Sequence, residues 1–148
     1  MKTRTKTRNY IYGITLFFIA LSGFAQMPVF KRYYIADIPG LGWLAQFYVT
    51  HIMHYLAAIV LIAFVIYILF DFIFSGQRLN TITRTGYFKI IVLAGLLVTG
   101  SLMVVKNLSN VYFNHNLIIV LDLSHLSFCM ILLGAGLYSL VRKKRWVS

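Results

Sequence analysis

Four long apolar runs, separated by short polar stretches, organise this chain. They cover Tyr10 to about Met27, about Trp43 to Phe74, Tyr87 to Val105, and Leu117 to Val141. A helix needs about 20 predominantly apolar residues to cross the hydrocarbon core of a bilayer. The pattern therefore predicts an all-α membrane protein: a single domain over residues 1–148, folded as a four-transmembrane-helix up-down bundle. The spans are expected at 10–27, 43–74, 87–105 and 117–141. The second run is overlong, so it must tilt or begin outside the hydrocarbon.

Composition agrees with this reading and narrows it. Of 148 residues, 60% are hydrophobic and 11% charged, well beyond an ordinary soluble domain. Four crossings leave almost no chain for a soluble domain, so function has to lie in the bundle, at its two faces, or in partner subunits.

The basic residues set the expected orientation. Lys2, Arg4, Lys6 and Arg8 precede the first span, Arg78, Arg84 and Lys89 lie between the second and third, and Arg142, Lys143, Lys144 and Arg145 follow the fourth. Only Lys31, Arg32 and Lys106 fall on the opposite side. The positive-inside rule then places both termini and the middle loop in the cytoplasm. The net charge of +11 follows from this topology and does not mark a nucleic-acid surface, because the charges flank apolar spans and form no aromatic-interleaved patch.

The N-terminus also imitates a secretion signal, with a basic start, an apolar run from Ile11 to Phe24, and the small residues around Ser22-Gly23-Phe24-Ala25. It is read as a retained first helix. A single cysteine, Cys129, excludes an internal disulfide and argues against thiol-oxidising membrane enzymes, which need cysteine pairs. The first exterior loop runs from Pro28 to Gly42 and contains the turn Pro39-Gly40-Leu41-Gly42. The second, Lys106 to Asn116, holds a solvated His115. No internal repeat is apparent.

Three other histidines lie in segments apolar enough to be membrane-embedded, where an imidazole needs a partner. His51 and His54 share a stripe of the second helix with Ala58, and His125, Cys129 and Gly136 share a face of the fourth. Two helices that each show an imidazole beside small residues can form a slot for a flat macrocycle held by axial histidines. Gly13, Gly23, Gly95 and Gly100 add expected close-approach positions on helices one and three. Counted from the cytoplasmic basic residues at about 1.5 Å per residue, His125 stands roughly 26 Å away, His54 about 36 Å and His51 about 40 Å. This favours His54 as the partner of His125, whereas counting from the exterior ends favours His51. All three fall in the exterior half. Lys31, Arg32 and Lys106 lie on that side, where they are candidates to neutralise haem propionates.

The order of these features resembles the four-helix cytochrome b subunits of membrane-bound formate dehydrogenases and nickel-iron hydrogenases. The run Arg8-Asn9-Tyr10 through Leu21-Ser22-Gly23 is similar to the family's opening helix. His54-Tyr55-Leu56-Ala57-Ala58 resembles its His-x-x-Ala-Gly element, and Asp122-Leu123-Ser124-His125 its exterior-side ligand on helix four. The family commonly carries two haems, and the ligands of the cytoplasmic-side one are missing: no His precedes position 51, and Ser139 stands fourteen residues past His125. The resemblance thus implies a one-haem member. His54 and His125 would be the axial ligands of haem b, with His51 as a substitute or supporting group.

It also implies electron transfer between an iron-sulfur or cytochrome partner at the exterior face and membrane quinone, in the inner (cytoplasmic) membrane of a prokaryotic cell. The chain lacks a cysteine set for an iron-sulfur cluster, so that relay belongs to partner subunits. Asp122 and Tyr55 are the foremost quinone-site candidates, with His51, Tyr48, Asp71, Tyr67, Arg78 and Arg84 behind them. The alternatives are a haem-free anchor or assembly subunit that uses its histidines as interhelical hydrogen-bonding groups, a small transporter, and a non-haem metal site, which three histidines without a nearby carboxylate fit poorly.

Overall fold

A computed structural model describes residues 2–27, 35–75 and 82–142. It is all-α, with no strand among the described residues. Helix α1 spans Lys2–Ala25, α2 Phe47–Phe74, α3 Arg84–Val105 and α4 His115–Val141. Helices α2, α3 and α4 are long and apolar enough to cross a membrane; at 1.5 Å per residue they measure roughly 42, 33 and 40 Å. The polar start of α1, Lys2 to Asn9, shortens the apolar part of its 24 residues.

Helix ends differ from the ends of the apolar runs because capping, and not hydropathy, decides them. Thr83 caps α3 by accepting a hydrogen bond from the Gly86 N–H at 3.0 Å, so the helix begins before Tyr87. Asn114 caps α4 through the Asn116 N–H at 3.2 Å, which places His115 in the first turn of a helix instead of in a loop. The overlong second run divides. Gly42–Ala45 is a 3-10 turn, Gln46 is extended, and α2 starts only at Phe47. Ahead of that turn, Leu41 N–H donates to Ile38 O at 3.0 Å across Pro39-Gly40, and Gly40 has φ +87°. A Cβ is disfavoured at that backbone conformation, which suits glycine at the third position of a type II turn.

The chain forms two compact units, residues 1–76 and 77–148. In the first, α1 and α2 pair antiparallel. Arg8 Nη1 donates to Asp71 Oδ2 at 3.0 Å, Tyr12 stacks on Phe64 with ring centroids 6.4 Å apart, and Ser22 and Gln26 meet His54 and His51. In the second, α3 and α4 pair antiparallel through Gly95 with Phe128, Thr99 with His125, and Lys106 with Asp122.

Burial departs from that of a water-soluble fold, with hydroxyl residues sharing the interior with Leu44, Leu61, Val92 and Leu132. Thr15, Ser22, Thr50, Thr99 and Ser139 are buried, while Phe17, Ile59, Ile91 and Leu140 are more than 60% exposed. Hydroxyl side chains can satisfy themselves on their own helix, as Thr50 does on Phe47 O at 3.0 Å. Such groups allow close helix contact, and large apolar groups face outward as lipid-facing positions do. Lys89, assigned by its charge to the middle loop, instead lies within α3 and is 4% exposed.

Glycine positions separate into contacts and open faces. A Cβ built at Gly95 would lie 2.8 Å from Phe128 Cζ, whereas a Cβ at Gly13 or Gly136 would meet nothing within 4 Å among the described residues. Gly95→Val is expected to destabilise the second hairpin by about 1–3 kcal/mol through overpacking. Phe128→Ala on that background should recover part of the loss, as read from thermal unfolding in detergent. A Gly95→Val protein as stable as wild type would show that the ring does not lie there.

Candidate functional site

In the first hairpin the end of α1 and Gln26 just beyond it hold both histidines of α2. Ser22, fully buried, donates its hydroxyl proton to Phe18 O at 2.7 Å, one turn back. Its oxygen remains available to accept. His54 Nδ1 lies 3.0 Å from that oxygen and 3.1 Å from Ile19 O. A carbonyl oxygen can only accept. His54 Nδ1 must therefore carry a proton, and in the neutral ring this leaves Nε2 as a lone pair. Gly23 completes the cradle: a Cβ there would stand 3.2 Å from His54 Cε1, so the missing side chain lets the ring lie against α1.

His51 is held by a different group. Gln26 Nε2 donates to Ser22 O at 3.1 Å, which orients the amide so that Oε1 faces His51 Nδ1 at 3.1 Å and accepts its proton. The His51 ring also stacks on Phe47, with centroids 5.0 Å apart, and meets Tyr55 at 4.4 Å. Two sequence-predicted residues, His51 and Tyr55, are thus in ring contact.

The second hairpin repeats the first arrangement. Thr99 donates its hydroxyl proton to Gly95 O at 2.8 Å, one turn back, and its oxygen lies 2.9 Å from His125 Nδ1. A hydroxyl oxygen whose proton is held by its own helix can accept from Nδ1, and that arrangement would leave the His125 Nε2 as a lone pair. A Cβ at Gly100 would stand 3.3 Å from His125 Cε1. Asp122, one turn before His125, accepts from Lys106 Nζ at 2.9 Å, with side-chain exposures of 49% and 17% respectively. The quinone candidate Asp122 and the propionate candidate Lys106 therefore neutralise each other. Lys31 and Arg32 lie outside the described residues, as does Arg78.

Imidazoles that donate from Nδ1 to protein oxygens are oriented to bind a metal through Nε2, since that bond fixes both tautomer and ring plane. Haem iron requires only two such nitrogens. Among the described residues there is no group of three or more His, Cys, Asp or Glu side chains that could hold a metal ion. Ser22, Gln26 and Thr99 were not identified as site residues from sequence. The available signal was the hydroxyl-glycine dipeptide, Ser22-Gly23 and Thr99-Gly100. No family model, curated protein or solved structure matches this chain.

Proposed function

We propose that this chain is the membrane-embedded b-type cytochrome subunit of a respiratory oxidoreductase complex. It would be a four-span bundle with both termini in the cytoplasm of a prokaryotic cell, exchanging electrons with an iron-sulfur or cytochrome partner at the exterior face and with membrane quinone. His54 and His125 would hold one haem b, which would supply reversible one-electron transfer when bound. A single observation carries this reading: each hairpin engages the Nδ1 of one histidine with a buried hydroxyl and relieves its ring face with a glycine. His51 is bound by an amide instead, which supports His54 over His51 as the ligand.

The chain's own residues do the positioning. Ser22 and Ile19 O fix the His54 ring, and Thr99 fixes that of His125. The outward apolar residues keep the helices in lipid and the imidazoles away from bulk water. At the quinone the foremost groups are His51 and Tyr55, already in ring contact, because Asp122 is engaged by Lys106.

Purified protein, or its complex, should give a dithionite-reduced minus oxidised difference spectrum with a sharp alpha band and one haem per chain. A flat spectrum from fully assembled protein would overturn the cytochrome reading in favour of a haem-free anchor. Two haems per chain would refute the one-haem proposal.

A further inference from the structure

The two units carry the same local device. In each, a hydroxyl residue and a glycine are adjacent on the first helix, Ser22-Gly23 and Thr99-Gly100, and a histidine on the second helix meets both. Each hydroxyl sends its own proton four residues back along its helix, to Phe18 O and Gly95 O. The neighbouring layer matches with its sizes exchanged. Five residues before the glycine stand Phe18 and Gly95, and three residues after the histidine stand Ala57 and Phe128. Phe18 and Ala57 line one shallow groove, while Phe128 fills the space above Gly95.

The copies differ in one respect that has a chemical consequence. His54 Nδ1 has a backbone carbonyl, Ile19 O, in addition to Ser22 Oγ. Among the described residues, His125 Nδ1 has only Thr99 Oγ1. A backbone carbonyl survives any side-chain substitution, whereas a hydroxyl does not.

We propose that Thr99 is the positioning residue that alone fixes the His125 imidazole in its Nδ1-protonated tautomer, whereas Ser22 performs the same task for His54 redundantly with Ile19 O. Thr99 thereby decides whether His125 offers Nε2 as a lone pair. A protonated Nδ1 that donates to an oxygen also makes Nε2 the stronger electron donor, which favours the oxidised state of a bound metal. The tautomer does not depend on the haem reading; the consequence for potential rests on it.

Full-length protein labelled with 15N-histidine, prepared with and without haem in lipid bilayers, tests this by solid-state NMR. In the haem-free sample, wild type should show Nδ1–H at both His54 and His125. Thr99→Val should lose the Nδ1–H signal of His125, Thr99→Ser should restore it, and Ser22→Ala should leave His54 unchanged. If Thr99→Val does not fold, Thr99→Ala serves, with Thr99→Ser again as the rescue. An unchanged His125 signal without the hydroxyl, or loss of the His54 signal in Ser22→Ala, would overturn the proposal. In the haem-loaded sample the midpoint potential should rise more in Thr99→Val than in Ser22→Ala, and equal shifts would count against the asymmetry. A protein that binds no haem would defeat the cytochrome reading, while the haem-free tautomer result would still decide this one.

Discussion

His125→Ala and His54→Ala are each expected to abolish the b-type alpha band, and His51→Ala to retain it. The first two remove an imidazole whose Nδ1 is engaged at 2.9–3.1 Å and whose ring rests against a glycine. The third removes one bound to the Gln26 amide and stacked on Phe47. Deletion should leave the hairpins folded, because the partner hydroxyls already donate to their own helices and no buried donor is orphaned. The cost in stability is expected at about 1–3 kcal/mol, mainly from the space left behind. Added imidazole should therefore recover part of the band by occupying that space. The checks are difference spectra and haem content of purified variants, beside their thermal unfolding. A full band in His125→Ala would refute that residue as a ligand, and loss in His51→Ala with retention in His54→Ala would exchange the assignment within α2.

Gly100→Leu and Gly23→Leu are each expected to be strongly damaging. A Cβ alone at these positions would come within 3.3 and 3.2 Å of the histidine Cε1 atoms, which a small shift of the ring can absorb. A leucine cannot be absorbed in this way. Its branches would occupy the volume of the imidazole and force either the ring out of its hydrogen bond or the helices apart. Between membrane helices, close van der Waals contact and a few polar bonds supply the association that the hydrophobic effect supplies in water. Overpacking of about 1–3 kcal/mol would thus remove both stability and ring alignment. Gly136→Leu, at a position where a Cβ would meet nothing within 4 Å among the described residues, is the matched control. The measurements are thermal unfolding and haem content in detergent. If Gly100→Leu behaved like Gly136→Leu, His125 would not approach α3 as described.

How much of this was legible in the sequence differs by level. Continuous apolar runs showed the three long helices α2, α3 and α4, because length and hydropathy are properties of a segment by itself. They misplaced the helix ends. Trp43, Leu44 and Ala45 are apolar yet form a 3-10 turn, and Arg84 and His115 are polar yet helical. Hydropathy reports what a residue prefers to contact, whereas a cap is set by backbone geometry and one side-chain oxygen. Lys89 shows the same limit: its charge suggested a loop, yet it lies within α3 and is buried.

By itself the sequence determined an apolar, helical chain in which His51, His54 and His125 stand in hydrophobic surroundings. Only the tertiary structure decided what those histidines touch. Ser22 is 32 residues from His54, and Thr99 is 26 from His125; no periodicity within one helix relates such positions. Antiparallel pairing brings them together and fixes the register, and that register decides which oxygen each ring nitrogen meets. The physical reason is that hydropathy is additive along a segment, while a hydrogen bond between helices depends on two faces meeting at one depth.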